Sequence, residues 1–326
     1  MGTTNNFNQF KIFGLIIIIS LFVSKTPYLT AEVVNKPTIF EQRRSLYEKT
    51  EAITQIPWYY LAAIDQYERQ VNDGLADDQL ISIQFSDEKW FGVQNISKQP
   101  DERIISIFQG IGKDGNGDGL ANPQDPEDIL YTMAHYILEY GQTKDDIKIA
   151  LWNYYLRDLT VKTIVNTANI FKKFDSIELT ERSFPVDQRY NYSYRSTWGH
   201  RRGFGGLRIH EGTDIFASYG APVKSTTYGV IERLGWNLYG GWRVGIRDTY
   251  NIYHYYAHLN HYADELEIGQ IVKPGDTLGT VGSSGYGPPG TSGRFPPHLH
   301  YGMYKDNGRN EWSFDPYPYL QRWERQ

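Results

Sequence analysis

Cysteine is absent from this 326-residue chain. That excludes disulfides, iron–sulfur clusters, cysteine nucleophiles and thiolate zinc sites together, so any metal must be held by His, Asp, Glu or carbonyl oxygen. An excess of basic residues is lacking too: 33 Lys plus Arg stand against 38 Asp plus Glu, for a net charge of -5. No whole-chain positive field draws the protein onto nucleic acid or an anionic membrane, and no nucleic-acid partner is expected. Long hydrophobic runs are missing with one exception, residues 12–23, which include Ile16, Ile17, Ile18 and Ile19. As a helix that run reaches only about 18 Å, short of the roughly 30 Å of a hydrocarbon core. Residues 1–31 therefore read as a signal peptide with a cleavage point at Ala31, or as an uncleaved N-terminal anchor, the one route to a membrane. Both readings place the remaining chain outside the cytoplasm.

What is present is a globular composition, 40% hydrophobic and 22% charged, of a length that suggests two domains. Residues 40–180 carry a helical pattern. In 59–67, Tyr60, Ala63, Ile64 and Tyr67 form one stripe at three-to-four spacing. In 127–140, Ile129, Leu130, Met133, Ala134 and Ile137 repeat it, behind an Asp125-Pro126 start and before Gly141. Two more helices are predicted over 144–155 and 161–174. Residues 181–326 differ in kind. Short alternating runs at 229–234, 242–248, 253–258, 277–281 and 299–304, separated by turns, predict an antiparallel β domain.

Seven of the eight histidines fall in that second half. His210-Glu211-Gly212-Thr213-Asp214 sets an imidazole and a carboxylate four apart, and His298-Leu299-His300 sets two imidazoles on one face of a strand. Two His nitrogens, a carboxylate oxygen and an open fourth position make a catalytic zinc site. Singly these pieces are weak, because His-x-His and His-x-x-x-Asp are common by coincidence. A helical His-Glu-x-x-His motif is ruled out by Asp214 in its last position.

In order, however, His210 to Asp214, Tyr256-Ala257-His258-Leu259, the glycine-bearing turns Gly269 to Gly275 and Gly279 to Gly282, and Pro297-His298-Leu299-His300 resemble the lysostaphin-type zinc endopeptidases of bacterial cell walls. The resemblance covers about residues 195–305. It implies an antiparallel β-sheet metallopeptidase domain acting on peptidoglycan, with His210, Asp214 and His300 as zinc ligands and His258 and His298 as catalytic partners of the attacking water. Two departures stand out. Tyr301-Gly302 follows the His-Leu-His, where relatives carry an aromatic and a glutamate, and the loop from Gly282 to His298 is long and carries Pro288, Pro289, Pro296 and Pro297. His200, His254 and His261 match no ligand of the family and are expected in aromatic packing or at the surface. Within the family the resemblance extends to sporulation-associated members of bacilli. It implies a cut between L-Ala and D-Glu of the stem peptide in spore cortex; the bond does not follow from composition or spacing.

The helical part resembles, more distantly, a lysozyme-like transglycosylase domain, through Ile56-Pro57, Leu61 to Ile64 and Glu68. Glu68 would then be a general acid against a glycosidic oxygen; otherwise, flanked by Asp65 and Arg69, it is an ordinary exposed helix residue. Asp114, Asn116, Asp118 and Gly119 match the first, third, fifth and sixth positions of a calcium loop, with Asp125 at the twelfth in place of glutamate. Tight turns without an ion are the other reading of that stretch. Beside the zinc endopeptidase stand two rivals: a catalytically inactive wall-binding scaffold, and a bifunctional enzyme that also cuts glycan through Glu68.

Overall fold

The computed structural model describes residues 1–2, 36–72, 74–76, 78–203 and 206–326. The apolar run 12–23 and Ala31 lie outside the described residues. Among those described, no helix is long and apolar enough to cross a membrane.

Seven helices open the described chain. The first, α1 (Ile39–Thr54), starts at a capping box in which Thr38 accepts from the Glu41 amide and Glu41 accepts from the Thr38 amide. It is followed by α2 (Trp58–Val71), α3 (Asp87–Phe91) and α4 (Glu102–Ile107). Asp125 caps α5 (Pro126–Leu138) by accepting from the Glu127 and Asp128 amides, as its Asp-Pro start predicts. Thr143 and Asp146 form a second capping box on α6 (Lys144–Tyr155), and α7 (Asp158–Phe174) follows. The stripes face inward: Tyr60, Leu61, Ile64, Leu130, Met133 and Phe171 share one core. The windows at 59–67 and 161–174 understate α2 and α7, and α1 was not predicted. Its buried stripe is Arg43, Tyr47, Thr50 and Thr54, at helical spacing but largely polar, so no hydrophobic period marks it.

The strands are β1 (Tyr192–Tyr194), β2 (Arg201–Arg202), β3 (Arg208–Ile209), β4 (Thr213–Ala217), β5 (Pro222–Lys224) and β6 (Gly229–Asn237). They continue with β7 (Gly241–Asp248), β8 (Ile252–Tyr262), β9 (Ile271–Val272), β10 (Thr277–Val281), β11 (His298–Asp306) and β12 (Glu311–Phe314), and α8 (Tyr317–Trp323) closes the chain. Pairing is antiparallel throughout, in the order β1-β4-β11-β8-β7-β6-β9, with β10 bridging β5 and β8, and β12 on the edge of β11. A second core lies under this sheet, built on Ile215, Val244, Ile246, Tyr256, Leu299 and Tyr301.

Register does the positioning. His300 pairs with Asp214 across β11 and β4, and with Ala257 across β11 and β8. Leu299 and Tyr301, of opposite parity to His298 and His300, go fully into the core. That burial fixes the register, since a slip of one residue would put both histidines inside.

Pro37–Gln326 forms one compact unit, in which Tyr228, Val230 and Ile271 of the β part pack against the helical core. Arg157, at the start of α7, reaches Asp306 at the end of β11 with two bonds of 2.7 and 2.8 Å, and the Asp306 side chain is completely buried. Arg157→Ala leaves that carboxylate without its cation and is expected to cost about 3 kcal/mol. Chemical denaturation of the two proteins measures it; an unchanged midpoint would mean that this bridge does not hold the halves together.

Candidate metal centre and active site

Three donors converge at the mouth of the β4–β11 pair. His210 Nε2 lies 2.9 Å from His300 Nδ1 and 3.0 Å from Asp214 Oδ1, and His300 Nδ1 lies 3.0 Å from the same oxygen. Among the described residues this is the one His, Asp or Glu trio gathered to hold a metal ion. A tetrahedral zinc with bonds of about 2.0–2.1 Å separates its donors by roughly 3.3 Å, so a few tenths of an ångström of relaxation accommodates the ion. Donor chemistry fits as well. His210 Nδ1 is 2.8 Å from the Thr197 carbonyl and must donate to it, which leaves Nε2 with a bare lone pair. Asp214 turns its second oxygen to Arg202, 2.5 Å away. Burial works against ionisation of Asp214, but the imidazoles of His210, His300 and His298 beside it overcome that and hold the carboxyl well below the usual range.

Room for the His300 ring depends on Gly212. A Cβ there would stand 2.7 Å from His300 Cε1 and 2.8 Å from Nε2, closer than any side chain can sit. The glycine inside His210 to Asp214 is therefore a steric requirement of the trio.

His258 and His298 complete the group, with ring centroids 4.7 Å apart. His298 Nε2 is 3.7 Å from Asp214 Oδ1. Each donates through Nδ1 to a backbone carbonyl, Ser284 at 2.7 Å and Pro296 at 2.8 Å, so each keeps a lone pair on Nε2. Burial, then the neighbouring His298 and His300, push the His258 pKa well below its ordinary value. Burial likewise lowers His298 and His300. The lowering favours the neutral imidazole in all three, the form that accepts a proton or a metal.

His258 reaches the cleft by a backbone device that sequence reading missed. On β8, Tyr253 and Tyr255 face the cleft while Tyr256 enters the core, so simple alternation would bury His258 with Tyr256. Instead β8 gains a residue against β7: Trp242 pairs with Leu259 but Val244 with Tyr256. His258 sits in that bulge at φ 64°, its amide bound to the Gly240 carbonyl at 2.7 Å. A non-glycine residue in this region is uncommon and costs of order 1 kcal/mol. The extra residue re-aims the imidazole onto the metal side and returns Leu259 to the core.

The other candidates lie elsewhere. His254 is fully buried between Asp248 (3.1 Å) and the Tyr301 hydroxyl (2.7 Å), beside Trp323, so it belongs to aromatic packing. His200 and His261 are exposed. Glu68 is not the exposed residue that its charged neighbours suggest. It is 7% exposed, and its two oxygens accept from Tyr155 (2.7 Å) and Asn72 (2.8 Å). Burial raises its pKa. Asp114, Asn116, Asp118 and Asp125 are not gathered as a cation site. Asp114 accepts from the Gly117 and Gly119 amides, Asn116 from the Asp118 amide and Asp118 from Leu120, while Asp125 caps α5. These are turn and cap roles, and they account for the stretch without calcium.

A model of peptidase family M23 matches residues 208–316, which contain all five clustered side chains. The chain is 55% identical over 320 residues to the L-Ala--D-Glu endopeptidase of Bacillus subtilis (strain 168), spanning 97% of this chain and 98% of the relative. Lysostaphin from Staphylococcus simulans is 34% identical over 114 residues, 34% of this chain and 21% of the relative. A solved structure of the catalytic domain of that lysostaphin is 30% identical, covering 41% of this chain and 93% of that one, at a TM-score of 0.32. The near-complete match to one relative and the His–Asp–His trio inside the matched segment lead to one conclusion: this chain belongs to peptidase family M23.

Proposed function

We propose that this protein is a zinc-dependent endopeptidase of peptidoglycan that hydrolyses the stem-peptide bond between L-Ala and D-Glu. The observation that carries the reading is the convergence of His210, Asp214 and His300 within 3.0 Å, beside two imidazoles with fixed tautomers. Similarity to the Bacillus subtilis L-Ala--D-Glu endopeptidase over nearly the whole chain supports the choice of bond.

His210 Nε2, Asp214 Oδ1 and His300 Nδ1 are the ligand atoms in this reading. When bound, zinc supplies a Lewis acid that makes water acidic near neutral pH and polarises a carbonyl. Neutral His258 and His298 present Nε2 lone pairs to the same space. One takes the proton of the attacking water and returns it to the leaving amine; the other accepts a hydrogen bond from that water through Nε2 and fixes its direction of attack. Their Ser284 and Pro296 carbonyl bonds hold both rings in place.

In this reading residues 40–180 are a lysozyme-like domain that binds glycan strands, residues 181–326 are the peptidase domain, and residues 1–31 export the protein to the cell wall of a sporulating cell. Two hydrophobic clusters, one built mainly from the helices and one under the sheet, support the division. The inactive-scaffold rival is disfavoured because the trio and both partner histidines are intact and convergent. Glu68, with both oxygens bonded inside the helical part, does not favour a second, glycan-cleaving activity. Glu68→Gln is accordingly expected to change peptide cleavage by less than about twofold, in contrast to the losses of 10² or more that follow removal of a general acid. Amine release from purified peptidoglycan measures it, with chelator treatment as the control. New reducing sugar ends that vanish in Glu68→Gln would restore the bifunctional reading.

A further inference from the structure

The metal site opens into a cleft of about 970 Å³ whose walls carry Arg201, Arg202, Arg208, Arg243 and Arg294. In a chain of net charge -5 this is a local reversal of sign. The acidic residues of the same walls are Glu211, Asp214 and Glu311. Asp214 is bound to Arg202, Glu311 to Arg247 at 2.8 Å, and Glu211 accepts from the Tyr304 hydroxyl at 3.3 Å. The remaining cations are thus not consumed by these acids.

Arg243 and Arg208 differ from surface arginines. Each has a buried Nε with no hydrogen-bond partner, and among the described residues neither has a carboxylate within ion-pair distance. Arg243 and Tyr255 line the same wall of the cleft, and the Tyr255 ring lies 5.9 Å from that of His300. Arg208 stands over the Tyr239 ring at 5.0 Å and reaches the Tyr286 hydroxyl at 3.5 Å, while Tyr286 stacks on His258. One guanidinium therefore approaches from the metal-ligand side of the scissile position, and the other from the proton-transfer side. Partly desolvated guanidiniums with unused donors are a poor resting arrangement and a good receptor for a carboxylate, which two parallel N–H donors bind best.

The proposed substrate offers such a group. A glutamate joined through its amine to L-Ala can pass the chain onward through only one of its two carboxyls. The other stays free and anionic, a few bonds from the scissile nitrogen. We propose that Arg243, assisted by Arg208 from the opposite wall, binds this free carboxylate and so selects the glutamate side of the bond. The assignment rests on the L-Ala–D-Glu reading and adds the determinant of its specificity. Arg243 and Arg208 are substrate-binding residues and contribute no ligand atom to the trio.

The test compares two synthetic stem peptides, one with the free carboxylate and one with that carboxyl converted to the carboxamide. The unaltered protein should cut the carboxylate peptide about 10- to 100-fold better in kcat/KM, the value of a charge-assisted bond. Arg243→Gln should lose that factor on the carboxylate peptide and change the carboxamide peptide by about twofold or less, at unchanged zinc content. Arg243→Lys should recover part of the preference, and Arg208→Gln should lose a smaller part. Equal losses on both peptides, or no discrimination by the unaltered protein, would overturn the assignment alone. Cleavage of neither peptide would overturn the choice of bond, and this assignment with it.

Discussion

Replacing His300 with alanine is expected to remove tightly bound zinc and to lower peptide cleavage by about a thousandfold or more. The trio has no spare donor: three atoms lie within 3.0 Å of one another, and among the described residues no fourth His, Asp or Glu joins them. Loss of one ligand leaves two, too few for a catalytic zinc site, which keeps three protein ligands. Several kcal/mol of transition-state stabilisation go with the metal, and each 1.36 kcal/mol is tenfold in rate. The fold should survive, because His300 is on the cleft face while the neighbouring Leu299 and Tyr301 fill the core. Metal analysis and cleavage assays on the folded variant check both effects. Full activity after His300→Ala would exclude it from the site.

Replacing His258 with alanine should separate binding from chemistry. In this account His258 is no ligand, so zinc content should be unchanged while kcat falls about 10²- to 10⁴-fold. His258 is held by the Ser284 carbonyl at one nitrogen and turned into the cleft by the β8 bulge. Alanine removes the base but not the bulge, whose amide still meets the Gly240 carbonyl. A milder loss is expected if His298, 4.7 Å away, takes over part of the proton traffic, and His298→Ala measured in parallel resolves the share of each. Zinc lost from His258→Ala would contradict the division between ligands and proton carriers.

Much of this was legible in the residues and some was not, for physical reasons. The 144–155 helix and the 277–281 strand stand as predicted, because the Thr143 cap of the one and the turns that bound the other are local signals. His298 and His300 share a face because pleat parity needs no tertiary information. His258 could be placed near the site only through resemblance, since strand parity alone sends it into the core and the bulge depends on pairing with β7. The carbonyls of Thr197, Ser284 and Pro296, which set three tautomers, carry no side-chain signature at all. Arg202, Arg208 and Arg243 were invisible as a group. They are scattered in sequence, and only the fold brings them to one cleft. Glu68 reads as exposed beside Asp65 and Arg69, yet all three turn inward, with Arg69 bonded to Asp65 at 3.0 Å. The apolar stripe of α2 marks Tyr60, Ala63, Ile64 and Tyr67, but nothing in it marks the polar residues buried beside them.

The most direct measurement is mass spectrometry of peptidoglycan fragments after incubation with the protein, with and without a zinc chelator. The expected result is chelator-sensitive release of peptides with a new D-Glu amine, leaving single L-Ala residues on the glycan. Glycan cuts alone, a peptide cut at another bond, or cleavage indifferent to chelation would contradict it.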